Sequence, residues 1–390
     1  MRVLYICPDG ILDDLGQQQV LPYIFGLNKN GYKFIILSFE RSDRKKEDFL
    51  SQEKILKDKD IKWHHLPFYP GKSHRFLRLI FGILKIHFIF KNNQINLVHI
   101  RSINAGTIFL LSRIKCKYIY DIRAFAGQLQ DYGLIRKSSK LGRLFTFFEK
   151  ILINHASGIV VLDKSGSDYI QKSFNLNIPF KIIPTSTEVN KYKIIKKGKN
   201  TNNELIKFVL LGGAEFPYLS KKALGFVKYL ISNGFNCSID IINQRHHKFI
   251  KKVIKETDFP KTRVKVFPLK PDQIYNKLPQ YDCGLVFIET GEWIKMSSPT
   301  KIGEYLAAGL HIVGLEGIKV LDRLAVETNC VDLLPRNLNS ENYNFNDILK
   351  ILKKIKRITR IQESIDTAKK HYALKKALKK YLEIYKNINV

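Results

Sequence analysis

The run Ser298-Pro299-Thr300-Lys301-Ile302-Gly303-Glu304-Tyr305-Leu306-Ala307-Ala308-Gly309 gathers residue types that can hold a phosphorylated ligand. Ser-Pro-Thr ahead of an apolar-periodic stretch marks a helix start, with Thr300 as N-cap and the helix running from near Lys301. Gly309 marks its stop before an apolar run at 311–313. A helix start leaves backbone N–H groups without intrahelical partners, and the helix dipole adds positive potential there. With the ammonium of Lys301 alongside, this is an anion pocket suited to a diphosphate. Gly303 leaves room for a ligand against the backbone, and Glu304, one turn in, can accept hydrogen bonds from ribose hydroxyls. Capping alone also explains Thr300 and Gly309.

A second set of candidates lies in the first half of the chain. His99, Arg101, Asp121 and Arg123 stand at or just after the ends of apolar runs, where open α/β sheets hold their ligands. They are the candidate catalytic and acceptor-side groups. Each has a structural alternative: a packed histidine at 99, a local ion pair at 121–123. Gly16 is placed to let a loop backbone approach a sugar or phosphate. The acids Asp9, Asp13 and Asp14 read as solvated turn carboxylates, so no metal site is expected.

The elements that must carry these residues follow from short apolar runs alternating with amphipathic stretches. Runs at 3–7, 34–39, 97–100, 118–120, 158–162 and 181–183 predict buried strands, and a second series follows at 208–211, 238–242, 264–267, 283–287 and 311–313. Strands alternating with helical patterns predict parallel sheets covered by helices. Between 188 and 204 the pattern dissolves into polar residues (KKGKNTNNE at 196–204), which predicts a linker. The expected organisation is a first Rossmann-like domain over 1–187, the linker 188–204, a second over 205–365, and a terminal helix 366–390 packing back on the first domain.

Composition bounds the partners. With 66 Lys and Arg against 35 Asp and Glu the formal net charge is +31, which attracts anionic membranes, phosphorylated small molecules or nucleic acid alike, and which coding bias toward Lys can also produce. The basic residues are distributed rather than gathered into one stripe with stacking aromatics, so no nucleic acid is expected. The stretches 74–91 (HRFLRLIFGILKIHFIFK) and 141–152 (LGRLFTFFEKIL) mix aromatic and aliphatic residues with bases. They read either as core helices or as helices lying in a membrane interface. Met1-Arg2 runs directly into an apolar strand, so a cytoplasmic location is expected, with peripheral contact at the inner face of the plasma membrane as an extension. Five scattered cysteines without a CxxC pair read as free thiols.

The run SPTKIGEYLAAGLHIV resembles the donor-binding signature of the retaining family 4 glycosyltransferases, the glycogen-synthase-like class used in cell-surface polysaccharide biosynthesis. LGQQQVLPY at 15–23, LVHIR at 97–101, YDIR at 120–123, GIVVL at 158–162, IPT at 183–185, the strand and glycine loop 208–213, and the tyrosines of the last helix fall in the family's order. The resemblance implies the GT-B fold, two Rossmann-like domains facing a central cleft, and a reaction that moves a sugar from a nucleoside diphosphate sugar, with retention, to a glycan or lipid-linked acceptor.

It further implies a donor held mainly by the second domain through Gly212, Gly213, Ser298, Pro299, Thr300, Lys301, Gly303 and Glu304, with Gly16 of the first domain also donor-binding and His99, Arg101, Asp121 and Arg123 on the acceptor side. No cofactor beyond the nucleotide-sugar co-substrate is implied. Two positions depart from the pattern. Met296 stands where a Glu is usual, eight positions before Glu304, and the loop Gly212-Gly213-Ala214-Glu215 lacks its usual Arg, leaving Lys221 or Lys222 to supply charge. The alternative reading is a non-catalytic basic protein on the same fold that binds nucleotide, nucleic acid or membrane.

Overall fold

The computed structural model describes the chain except residues 69–71, 134, 137–138, 175–177, 195–204, 338–342 and 390, and the side chains of 72–75 and 389. The described chain divides into two compact α/β units, Met1–Pro184 with Leu374–Val390, and Thr185–Ala373.

In the first unit seven parallel strands, β1 (Arg2–Cys7), β2 (Lys33–Arg41), β3 (Lys62–Phe68), β4 (Leu97–Arg101), β5 (Tyr118–Ile122), β6 (Gly158–Val161) and β7 (Phe180–Ile182), lie in the order β3-β2-β1-β4-β5-β6-β7. β1 pairs with β2 from Arg2↔Lys33 and with β4 from Val3↔Leu97, so the winding reverses between β1 and β4. Loops leaving those two strands diverge, which is where such sheets open a crevice. The inner strands are mostly apolar, as in β1 and β6, as expected where helices cover both faces. Val3, Tyr5, Phe34, Ile36, Leu97 and Val160 pack with Tyr381, Ile384 and Tyr385 of the helix Leu374–Asn389 in one core.

The second unit holds β8 (Ile206–Leu211), β9 (Cys237–Ile242), β10 (Val264–Phe267), β11 (Cys283–Val286), β12 (His311–Leu315) and β13 (Val331–Leu334), parallel in the order β10-β9-β8-β11-β12-β13. Phe208, Phe226, Ile239, Leu285, Phe287 and Leu352 are among its core residues.

Two strands are absent from the sequence reading, β3 and β13, and both are sheet edges. β3 (KWHHLPF) is only half-buried along its length, so burial did not select an apolar run, and its Pro67 is tolerated because the strand pairs on one side only. β13 is four residues long, with Asp332 inside it. The division falls at Pro184 and Ala373 rather than at 187 and 366, because Thr185 to Tyr192 pack into the second unit. Val189 and Tyr192 are buried there and the Tyr192 ring lies 5.0 Å from that of Tyr275, so the first residues of the expected linker are structural. Its polar run 196–204 lies outside the described residues.

The helix stop at Gly309 takes φ +76, and a Cβ there would meet Ile361 Cγ2 at 2.8 Å. Gly309→Ala is expected to lower stability by about 1–2 kcal/mol from the left-handed conformation alone, with crowding added, read as a shift of the urea unfolding midpoint.

Candidate functional site

The helix at the centre of the signature runs over Thr300–Ala307. Its cap position is Pro299, with no side-chain cap hydrogen bond, so Thr300 is the first helical residue rather than the N-cap expected from sequence. What fixes the approach instead is Thr185. Its Oγ1 donates to the Ser298 carbonyl at 2.9 Å and lies 3.1 Å from Ser298 Oγ, with both residues buried. The backbone ahead of the helix is thereby pinned from a segment over a hundred residues away.

Every residue from Lys301 to Ala307 is buried. Tyr305 lies against Gly284, where a Cβ would come within 2.2 Å of the ring, and its hydroxyl accepts from the Leu211 N–H at 2.8 Å. That bond ties the helix to the end of β8, next to Gly212 and Gly213. Gly212 takes φ +87, which turns the chain off the strand. Gly213 is required by packing: a Cβ there would fall 2.1 Å from Tyr218 Cε2.

Over the Tyr218 ring lies the ammonium of Lys301, 4.2 Å from the centroid. Lys301 is 4% exposed, and its Nζ has no hydrogen-bond partner among the described residues. Burial pushes its pKa down to about 7, against the opposing pull of Glu304. A desolvated ammonium without an acceptor is costly, and the lowered pKa reflects that cost. Glu304 is buried one turn on, and its charge helps burial to raise the phenol of Tyr192.

Gly303 has a different duty from the one read in sequence. A Cβ there would meet the Tyr372 side chain at 3.0–3.1 Å, so the space expected for a ligand is filled by the helix Arg360–His371 and the residue after it. Gly16 likewise serves the chain itself: a Cβ would meet Gly10 O at 2.3 Å, so the helix Asp14–Gln19 lies on the loop after β1. That loop is held by Glu40, whose buried carboxylate accepts from Ile11 N at 2.8 Å and Leu12 N at 3.2 Å.

The two lysines after the glycine loop are engaged. Lys222 Nζ donates to the Arg336 carbonyl at 2.8 Å, and Lys221 lies 3.6 Å from Glu256. Arg336, for which the sequence held no signal beyond its place after an unrecognised strand, spans the C-terminal edge of the sheet. It donates to Ile288 O at 3.0 Å, Glu289 Oε1 at 3.1 Å and Glu316 O at 3.0 Å. Met296 is buried in a 3-10 turn, Ile294–Met296.

In the first unit His99, Arg101, Asp121 and Arg123 do come together, but inside the protein. Asp121 has no exposed surface, and His99 and Arg101 are almost as buried. Arg123 reaches Asp121 with Nε at 2.8 Å and Nη2 at 2.9 Å, Tyr381 OH donates to Asp121 Oδ2 at 2.8 Å, and His99 Nε2 lies 3.3 Å from the same oxygen. Burial works against the charge on Asp121, yet Arg123, His99 and Arg101 together hold its carboxyl below the usual carboxylate range. Burial likewise lowers the His99 pKa, the Asp121 contact only partly countering it, so the ring is neutral at pH 7. Nε2–H then donates to Asp121 and Nδ1 accepts from Tyr385 OH at 2.6 Å. The four candidates thus form one buried cluster with the last helix, in which Arg101 Nη1 stands 3.8 Å from Asp121 and its Nε and Nη1 have no hydrogen-bond partner among the described residues. Among the described residues no group of three or more His, Cys, Asp or Glu is arranged to hold a metal ion.

No protein-family model matches the chain, and no curated protein matches it. Solved structures do. Sucrose-phosphate synthase from Thermosynechococcus elongatus aligns at TM-score 0.72 with 10% identity, over 100% of this chain and 99% of that one. HepE of Anabaena, solved with UDP and glucose, aligns at 0.68 with 13% identity over 99% of each chain. WaaG, a glycosyltransferase involved in lipopolysaccharide biosynthesis, aligns at 0.62 with 12% identity, over 96% of this chain and 98% of that one. The chain has the two-domain GT-B fold of these glycosyltransferases.

Two outcomes follow. Asp121→Ala leaves Arg101 and Arg123 buried without a counter-charge and is expected to cost about 3–5 kcal/mol in urea unfolding. For Lys301 the folded-state pKa lies below the unfolded value, so the unfolded chain binds more protons between pH 7 and 10.5 and this group's destabilising effect fades as pH rises through that window. Lys301→Met is therefore expected to raise the melting temperature at pH 6 and to change it less at pH 9.

Proposed function

We propose that the chain transfers a sugar from a nucleoside diphosphate donor, with retention of configuration, to a glycan or lipid-linked acceptor in cell-surface polysaccharide biosynthesis. The observation that carries this reading is Lys301: a buried ammonium, unpartnered among the described residues, in the first turn of the Thr300–Ala307 helix. Bond cleavage at the donor delivers negative charge onto the leaving diphosphate, and donors set in advance where that charge develops accelerate the step. Lys301 and the first N–H groups of the helix are such donors. With its pKa near 7 in the free protein, Lys301 takes up a proton as the diphosphate enters and gives it a full counter-charge. In this reading no protein nucleophile and no metal is called for.

Glu304 is placed to accept from the ribose, and the Gly212-Gly213 turn, held by Tyr305 and Tyr218, brings backbone up beside them. The UDP bound to HepE supports a nucleotide ligand, and the role of WaaG in lipopolysaccharide supports an envelope glycan as the acceptor class. The loop clamped by Glu40, at the winding reversal of the first sheet, is our candidate for acceptor contact. Met296 favours one second reading, a protein of this fold that binds nucleotide without transferring sugar.

A panel of nucleotide sugars separates the two. Lys301→Met and Glu304→Gln are each expected to lower kcat/KM for transfer by about 10²–10³ and to abolish the rise in melting temperature given by the matching nucleoside diphosphate. Transfer at the wild-type rate by both variants overturns the site. A nucleotide-induced rise without transfer from any donor favours the second reading.

A further inference from the structure

One layer of the first unit carries more apolar surface than folding uses. Three helices lie side by side there: Lys72–Asn92, Ser102–Leu111 and Lys140–His155. They are in close contact, since a Cβ on Gly82 would meet Ile108 at 2.8 Å and one on Gly106 would meet Leu152 at 2.2 Å. The inner face of the first helix is spent on the core, with Gly82, Ile86 and Ile89 buried. Yet Leu77, Phe81, Leu84 and Phe88 form a second stripe at spacings of four, three and four, and they are 47%, 51%, 58% and 52% exposed. Leu141, Leu144 and Phe147 of the third helix and Leu111 of the middle one are exposed as well. Elsewhere among the described residues exposed large apolar side chains are scattered, two at most on any one helix, as Leu50 and Ile55 are.

The charges on this layer have one sign. Lys91, Lys140, Arg143 and Lys150 are exposed, and the Lys85 ammonium lies 5.0 Å from the Phe88 ring centroid at the border of the stripe. The helices Lys72–Asn92 and Ser102–Leu111 contain no carboxylate, and Glu149, the one carboxylate of Lys140–His155, is buried and accepts from Ala126 N at 2.8 Å. Aromatic and aliphatic residues flanked by bases, with no outward acid, fit a surface that is apolar beneath and anionic above. A second copy of the chain would bring like charges together. Among the described residues no helix is long and apolar enough to cross a membrane.

We propose that this three-helix layer is a docking surface for an anionic lipid bilayer, entered by the Leu77–Phe88 stripe and by Leu144 and Phe147, with Lys85, Arg143 and Lys150 meeting lipid phosphates. The inference concerns the first unit alone and stands whether or not the chain transfers sugar.

The test is flotation of the full chain with vesicles of phosphatidylcholine containing phosphatidylglycerol, and with vesicles of phosphatidylcholine alone. Binding is expected to the first, falling with salt. The double change Phe81→Ser with Phe88→Ser is expected to weaken it by about tenfold or more, and Arg143→Glu with Lys150→Glu to weaken it too, with melting temperatures kept because these side chains face outward. The charge reversals keep the test decisive if the serine variant folds poorly. Absence of binding to anionic vesicles, or binding that both variants leave intact, overturns the proposal. So does a vesicle-free dimer that dissociates on Phe81→Ser with Phe88→Ser, which assigns the face to a second copy.

Discussion

Asp121 is a carboxylate with no access to water, so every compensation it receives has to come from the chain itself. Arg123 supplies most of the charge, His99 and Tyr381 supply hydrogen bonds, and Tyr385 orients His99 from behind. Two of these partners belong to the helix Leu374–Asn389, separated in sequence from Asp121 by the whole second unit. A buried ion pair of this kind is weak evidence of net stability but specifies geometry strictly, because any other docking of the helix strands a charge in an apolar interior.

Lys301 is the counter-example in the second unit. Its surroundings offer the face of Tyr218 and the charge of Glu304 but no acceptor for its protons among the described residues, so burial moves its pKa rather than being offset. The two sites differ in what completes them. Around Asp121 the protein sets opposite charges and hydroxyls against the carboxylate; around Lys301 it has left a position that a diphosphate fills in the proposed reaction. Removing one charge weakens the fold, while removing the other is expected to strengthen the empty protein at the expense of its ligand.

Much of the architecture was legible because parallel strands buried on both faces must be apolar, as at 3–7 and 208–211, and because Gly309 ends a helix in the only way its φ allows. Edge strands escaped: β3 keeps Trp63 and His64 half-exposed and His65 exposed, so no alternation or apolar run marks it. Within the site, Lys301 and Glu304 were legible as residue types at a helix start. What was not legible is where space remains. Gly303 and Gly16 read as clearance for a ligand and turn out to be clearance for Tyr372 and for the loop at Gly10, since sequence states that a Cβ is missing but not what occupies its place. His99 and Asp121 were identified as neighbours in function, yet their partners Tyr381 and Tyr385 come from hundreds of residues away, and only the fold brings them together.

The return of the last helix to the first unit bears on the order of events at the ribosome. Thr185–Ala373 is one continuous stretch and can complete its core as soon as it has emerged. Met1–Pro184 is synthesised earlier but must wait for Tyr381, Ile384 and Tyr385 to close the apolar surface over Tyr5, Phe34 and Ile119. During that interval the nascent first half holds an uncapped sheet face and an Asp121 that still lacks its hydrogen bond from Tyr381.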